Sequence, residues 1–277
     1  MTTSQTADPG QSSGTEQEHW LPTEHRDGTL VITINREHRL NALAWDLISE
    51  LGGILASAAV DDSVRAVVLT GAGRAFSAGG DVKDQKRRAQ WGVIERLDKI
   101  TPVMDTIRAC WEFPKPLIAA VNGIAAGAGA GLALACDVRY ASTEARFGFP
   151  FVKVGLGPDY GVSYTLPRLV GTGHAARLLY TGRYVDADEA LRIGLVEEVL
   201  PAHELLDAAV GLASEIAQVA PLGVRLSKQA LRRSASIDFA TAITTEITAQ
   251  FLATQTQDHL EGATAFAEKR PPVFRNR

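Results

Sequence analysis

Two stretches almost devoid of side chains carry the most legible chemistry. One is Phe76-Ser77-Ala78-Gly79-Gly80-Asp81. The other is Asn122-Gly123-Ile124-Ala125-Ala126-Gly127-Ala128-Gly129-Ala130-Gly131. Each follows an apolar run, residues 66–70 and 117–121, that reads as a buried strand. Bare backbone lets a ligand approach N–H groups closely. Two such donors meeting on one carbonyl oxygen make an oxyanion hole.

Other chemistries fail on their own residues. Gly127-Ala128-Gly129-Ala130-Gly131-Leu132 follows a strand and opens a helix, but Leu132 replaces the last glycine of a dinucleotide fingerprint. The segment about 20 residues on, Phe147-Gly148-Phe149-Pro150-Phe151, offers no acid for a ribose. No Walker sequence and no Gly-x-Ser-x-Gly elbow occurs. The six histidines have no metal-ligand spacing, so no metal is expected.

The elements that position the two turns follow from periodicity. Residues 29–35 alternate as a strand, and Leu47, Leu51, Ile54, Leu55 and Ala58 mark a helix. Strand 66–70 is apolar on both faces, so it belongs inside a covered sheet. A helical region spans 82–110, strand 117–121 follows, then a small-residue helix over 128–136 and strand 137–141. Strands alternating with helices predict an α/β fold. Residues 1–24, rich in Thr, Ser, Gln and Glu, read as a disordered tail. Residues 25–200 form the core. Residues 201–277 carry helix patterns at 201–220, 223–233, 239–253 and 258–269, a helical oligomerisation subdomain.

The chain has 277 residues, 45% hydrophobic and 22% charged, with a net charge of −4. That balance gives no reason to expect nucleic acid or an anionic membrane as partner. The uncharged run 116–136 is long enough to cross a bilayer. Its glycines and the Asn122-Gly123 turn argue for a buried strand and helix instead. Cys110 and Cys136 read as buried thiols of a reducing, cytoplasmic compartment.

From Thr29 to Phe274 the chain resembles the crotonase, or enoyl-CoA hydratase/isomerase, superfamily. The matching segments run in order. They include Arg39-Leu40-Asn41-Ala42-Leu43, Ala75-Phe76-Ser77-Ala78-Gly79-Gly80-Asp81, Pro114-Lys115-Pro116, Ala120-Val121-Asn122-Gly123, Cys136-Asp137, Leu166-Pro167-Arg168-Leu169-Val170-Gly171 and Glu268-Lys269-Arg270-Pro271-Pro272-Val273-Phe274. The resemblance implies a spiral of ββα units with a C-terminal helical trimerisation region, and a homotrimer or dimer of trimers. It also implies an acyl-CoA thioester as substrate with no separate cofactor. The thioester oxygen would be held by the N–H groups of Gly80 and Ala128. CoA contacts map to Ala42, Ala78 and Asp81, with Arg39 and Lys83 nearby. Phe266 and Lys269 match positions that approach the adenine end, often from a neighbouring subunit; a solvated surface lysine is the competing reading for Lys83 and Lys269.

The chain departs from the family's hydratases at both of their glutamates. Those positions fall at Gly131 and Phe151, so the usual machinery for adding water is missing. Asp159, in Gly155-Leu156-Gly157-Pro158-Asp159-Tyr160-Gly161, matches the aspartate of the single-aspartate isomerase branch. A dehalogenase would need a histidine where Met104 stands. Phe149, Pro150 and Phe151 are expected to make the pocket apolar, which would raise the pKa of Asp159 and strengthen it as a base. Tyr160, Tyr164 and Trp91 are candidates for the acyl pocket or for the core. Asp159 as a helix cap competes with Asp159 as base, and Asp81 is a candidate cap for its own helix. The resemblance therefore favours double-bond isomerisation of an enoyl-CoA. The alternatives are a hydratase with unusual acid–base residues and a non-catalytic acyl-CoA binding protein.

Overall fold

Successive strand residues face opposite ways, so strands that are apolar throughout need cover on both faces. The computed structural model, which describes residues 19–81 and 90–277, supplies that cover. The strands are β1 (Thr23–Arg26), β2 (Thr29–Ile34), β3 (Ala66–Gly71), β4 (Ala75–Ser77), β5 (Leu117–Val121), β6 (Ile124–Ala126), β7 (Val138–Ser142), β8 (Arg146–Gly148), β9 (Tyr184–Asp186) and β10 (Glu198–Leu200). They form a six-stranded sheet in the order β1-β2-β3-β5-β7-β10 and a four-stranded sheet in the order β4-β6-β8-β9. All pairings are parallel except β1 with β2 and β8 with β9.

The helices are α1 (Trp45–Val60), α2 (Val93–Glu112), α3 (Ala128–Ala135), α4 (Val162–Thr181), α5 (Ala187–Arg192), α6 (Leu205–Ala217), α7 (Pro221–Ser234), α8 (Phe239–Ala253) and α9 (Gln257–Glu268). Ile32, Ile34, Val67, Leu69 and Leu117 face the main core with Leu47, Ile48 and Leu51 of α1 and Leu132 of α3. Val31, Val68 and Ile118 point the other way, onto Leu205, Ala209 and Ala213 of α6. Each fully buried side chain of this size contributes about 1.5–3 kcal/mol.

Run 116–136 is thus β5, β6 and α3, all within the core; among the described residues no single helix is long and apolar enough to cross a membrane. Both cysteines are buried and unpaired, and burial pushes the Cys110 thiol up to about 12. Of the tail expected over 1–24, residues 1–18 lie outside the described residues, and the last few pack on the core. Leu21 is buried, Trp20 lies under the Arg36 guanidinium at 5.0 Å, and Thr23 opens β1 against β2.

Beyond α6, which packs directly on the sheet, α7 is tied to the core largely at one acid. Asp137 receives Lys228 Nζ at 2.6 Å and Arg232 Nη2 at 2.7 Å, both from α7. Beyond α7 the contact thins: α8 buries no residue and exposes Ile243, Ile247 and Phe251. Segment 270–277 folds back on α9, where Asp258 accepts the N–H groups of Arg275 and Asn276.

Candidate active site

The second sheet brings the two glycine-rich turns together. β4 pairs with β6, Ala75 opposite Ile124 and Ser77 opposite Ala125, so the residues that leave both strands emerge side by side. Gly79 sits at the contact with φ +98°. A Cβ there would lie 2.6 Å from the Ala126 carbonyl oxygen and 3.5 Å from the Ala128 nitrogen. Only glycine permits both the backbone angle and the approach.

Gly80 leaves this contact in a short parallel bridge to Leu43, in which the Leu43 N–H donates to the Gly79 carbonyl at 2.8 Å. Ala128 is the first residue of α3, where helix geometry leaves an N–H without an intrahelical acceptor and the macrodipole is positive.

Segment 36–43 is held against these turns from below. Leu40 and Asn41 take left-handed backbone angles. The buried Asn41 side chain accepts the Arg36 N–H at 2.9 Å and donates to the Ala72 and Ala75 carbonyls at 2.8 and 2.6 Å. Arg36 donates to the Ala42 carbonyl at 2.6 Å and pairs with Asp81 at 3.2 Å. Asp81 is therefore engaged in a largely buried ion pair; the helix it was expected to cap lies outside the described residues. Ala78 donates its N–H to Leu40 O at 2.9 Å and is exposed at the turn. Arg39 is exposed on the 3-10 turn Glu37–Arg39. Lys83 lies outside the described residues.

Gly80, Ala128 and Asp159 line one cavity of about 480 Å³. Leu43 and Trp45 close one wall, Ile100, Val103, Met104 and Ile107 of α2 a second, and Phe151, Val154, Leu156 and Tyr160 a third. Asp159 is the one carboxylate among the described lining residues, and no Lys, Arg or His is among them. Phe151 is buried, as expected of an apolar wall; Phe149 turns into the core and does not line the cavity.

Asp159 differs from its expected surroundings in two respects. It is exposed, at the rim, rather than enclosed by its apolar neighbours. The N-cap of α4 is Gly161, two residues later, so Asp159 does not occupy the cap position. Tyr160, between them, has φ +53° and is the only one of the three candidate aromatics that lines the cavity. Tyr164 instead meets Trp111 edge-on at 5.5 Å beneath Arg168, and Trp91 packs on Trp45 at 5.2 Å.

Phe266 and Lys269 are not brought to the cavity within one chain. Phe266 is 88% exposed on α9, and Lys269 caps that helix, also exposed. The α2 wall falls in the helical region expected over 82–110, and its apolar positions 93, 97, 100, 104 and 107 follow a helical stripe.

Paired turns of bare backbone, an apolar cavity and one acid at its edge suit an enzyme that works at the carbonyl of an apolar acyl group. Known proteins place the chain more closely. The sequence model of the enoyl-CoA hydratase/isomerase family matches residues 24–277, and the chain belongs to that family. A Clostridium acetobutylicum protein named short-chain-enoyl-CoA hydratase is 42% identical over 249 residues, 89% of this chain and 94% of that one. An Escherichia coli 1,2-epoxyphenylacetyl-CoA isomerase is 35% identical over 89% of this chain and 95% of its own. The crystal structure of an enoyl-CoA hydratase from Bacillus anthracis superposes with a TM-score of 0.88 at 37% identity, covering 93% of this chain and all of that one. The fold is accordingly the crotonase spiral, with its C-terminal helices present.

Proposed function

We propose that this enzyme shifts a double bond in an enoyl-CoA thioester. The thioester oxygen lies between the N–H groups of Gly80 and Ala128. Asp159 takes a proton from C2 of a 3-enoyl-CoA, the electrons pass into a dienolate held by the two amides, and Asp159 returns the proton at C4. The double bond moves from C3–C4 to C2–C3, and no water or separate cofactor is consumed. One observation carries the reading: Asp159 is the sole carboxylate among the described residues lining the cavity, and Gly131 and Phe151 are not acids.

CoA is held by the backbone at Ala42, Ala78 and Asp81, with Arg39 at its phosphates. Phe266 and Lys269 reach it from a neighbouring copy in a homotrimer or dimer of trimers, which the exposed apolar stripe of α8 favours. The buried free thiols fit a cytoplasmic setting.

The name of the Clostridium relative favours hydration as a second reading. Asp159→Asn tests the first. Isomerisation requires that this variant lose 3-enoyl-CoA conversion and exchange of C2 protons with deuterated solvent. Unchanged turnover removes Asp159 as the base. Incorporation of solvent ¹⁸O into the product supports hydration instead, and binding without turnover across a thioester panel identifies a non-catalytic binder.

A further inference from the structure

The acyl cavity is larger and more uniformly apolar than a four-carbon acyl group needs. A dry cavity of about 150 Å³ is enough to hold benzene, whereas this one measures about 480 Å³. Its deep end is closed by Leu43, Val103 and Phe151, all buried. Its mouth is a collar of large apolar side chains left open to solvent: Ile100 is 41% exposed, Met104 56% and Leu156 50%. Exposed apolar surface gathered around one opening marks a contact with an apolar ligand or partner.

The position of the clamp decides what occupies it. A thioester oxygen at Gly80 and Ala128 starts the acyl chain inside this cavity, and the α2 wall that flanks it there is the run of apolar side chains from Ile100 to Ile107. That run is about 10 Å of helix. The lining also lacks a cation among the described residues, while Asp159 adds a negative charge. A terminal carboxylate on the acyl group would find no cationic partner among the described lining residues and would meet apolar walls and the charge of Asp159.

Resting on the proposed thioester reading, we infer that the site selects apolar acyl groups of about eight carbons, straight or ring-bearing, over short ones and over those ending in a carboxylate. The collar of Ile100, Met104 and Leu156 is the specificity surface, and the occupant that covers it is the acyl chain of the substrate.

Saturated thioesters test this without turnover, so the result does not depend on Asp159 being the base. Binding of butanoyl-, hexanoyl-, octanoyl-, phenylacetyl- and hexanedioyl-CoA to the full chain is measured by calorimetry. Affinity is expected to rise about fourfold per methylene from butanoyl to octanoyl, the worth of a buried methylene. Hexanedioyl-CoA should bind no better than butanoyl-CoA. The octanoyl and phenylacetyl arms separate a channel from a broad pocket within the same apolar class. Met104→Glu, at the exposed collar, should collapse the octanoyl-to-butanoyl affinity ratio towards one.

Octanoyl and butanoyl binding within about threefold of each other, or tightest binding of hexanedioyl-CoA, overturns the inference and leaves the proposed reaction standing. So does a Met104→Glu variant that keeps the ratio but changes oligomeric state by light scattering, because a second copy then covers the collar. Failure of every thioester to bind removes the thioester reading and this inference together. Retained binding selectivity in an inactive Asp159→Asn variant supports the inference separately.

Discussion

Gly131 and Tyr160 share one volume: a Cβ on Gly131 would lie 2.5 Å from the Cβ of Tyr160 and 3.1 Å from Cγ2 of Val162. The tyrosine is held there with φ +53°, a conformation that costs an ordinary residue about 1–2 kcal/mol. The absence of a side chain at 131 and the tyrosine beside Asp159 are therefore one structural choice. Restoring an acid at 131 must evict Tyr160 first. Gly131→Glu is expected to lose about 1–3 kcal/mol of stability by overpacking, measured by urea unfolding, and to gain no hydration of 2-enoyl thioesters. An active, fully stable Gly131→Glu protein would show that the pocket rearranges freely around Tyr160.

Gly79 controls the distance between the two turns. Alanine there would place its Cβ 2.6 Å from the Ala126 carbonyl oxygen, at a φ of +98° that side chains resist. Gly79→Ala is expected to push the turns apart. Because one clamp donor is typically worth 10²–10³-fold in rate, about 3 kcal/mol, kcat should fall by that order with a modest loss of thermal stability. Wild-type turnover in this variant would remove the turns from the chemistry.

Asp137 bonds the core to α7 by accepting Lys228, Arg232 and the Leu117 N–H. Burial pulls the Lys228 ammonium below its ordinary range, and Asp137 opposes that shift. Asp137→Ala leaves both cations uncompensated in a largely buried place and is expected to cost about 3–5 kcal/mol. Adding Lys228→Met to that variant should recover part of the loss. Denaturant unfolding of the single and double variants checks both expectations.

The contact between the C-terminal segment and α9 should depend on acid. Hydrogen bonds from the Arg270 guanidinium, then from the Val273 N–H, hold the Glu261 carboxyl down to about 2 from an ordinary 4.5. A depressed carboxylate pKa stabilises the folded contact above the unfolded value and is lost as pH falls through the folded one. Residues 270–277 should therefore stay docked at pH 6 and release between about pH 4.5 and 2. Hydrogen exchange across that window reads the release. Glu261→Gln should abolish the pH dependence in this window.

Much of this was legible because it depended on local pattern. The strand at 117–121 and the helix at 239–253 follow from unbroken periodicity, and the structure reproduces their limits. The short strands β4, β6 and β8, three residues each, hold too few residues to show a period, and the first two read as turns. The α2 wall has a readable stripe, but nothing local says that Ile100 and Met104 border the same cavity as the Gly80 turn. Phe266 and Lys269 match their motif, yet one chain carries them away from the cavity.

Residue types alone determined that residues 78–80 and 127–131 carry almost no side chain, that Gly131 and Phe151 are not acids, and that Asp159 is. Those are properties of the side chains themselves. Only the tertiary structure decided that the exposed backbone of both turns and Asp159 border one cavity, and that Tyr160 fills the space left at Gly131. The reason is the pairing of β4 with β6, a contact between segments about 50 residues apart that matches only Ala75 with Ile124 and Ser77 with Ala125, across a register shift. A pairing that short has its partner chosen by the packed core around it rather than by its own sequence.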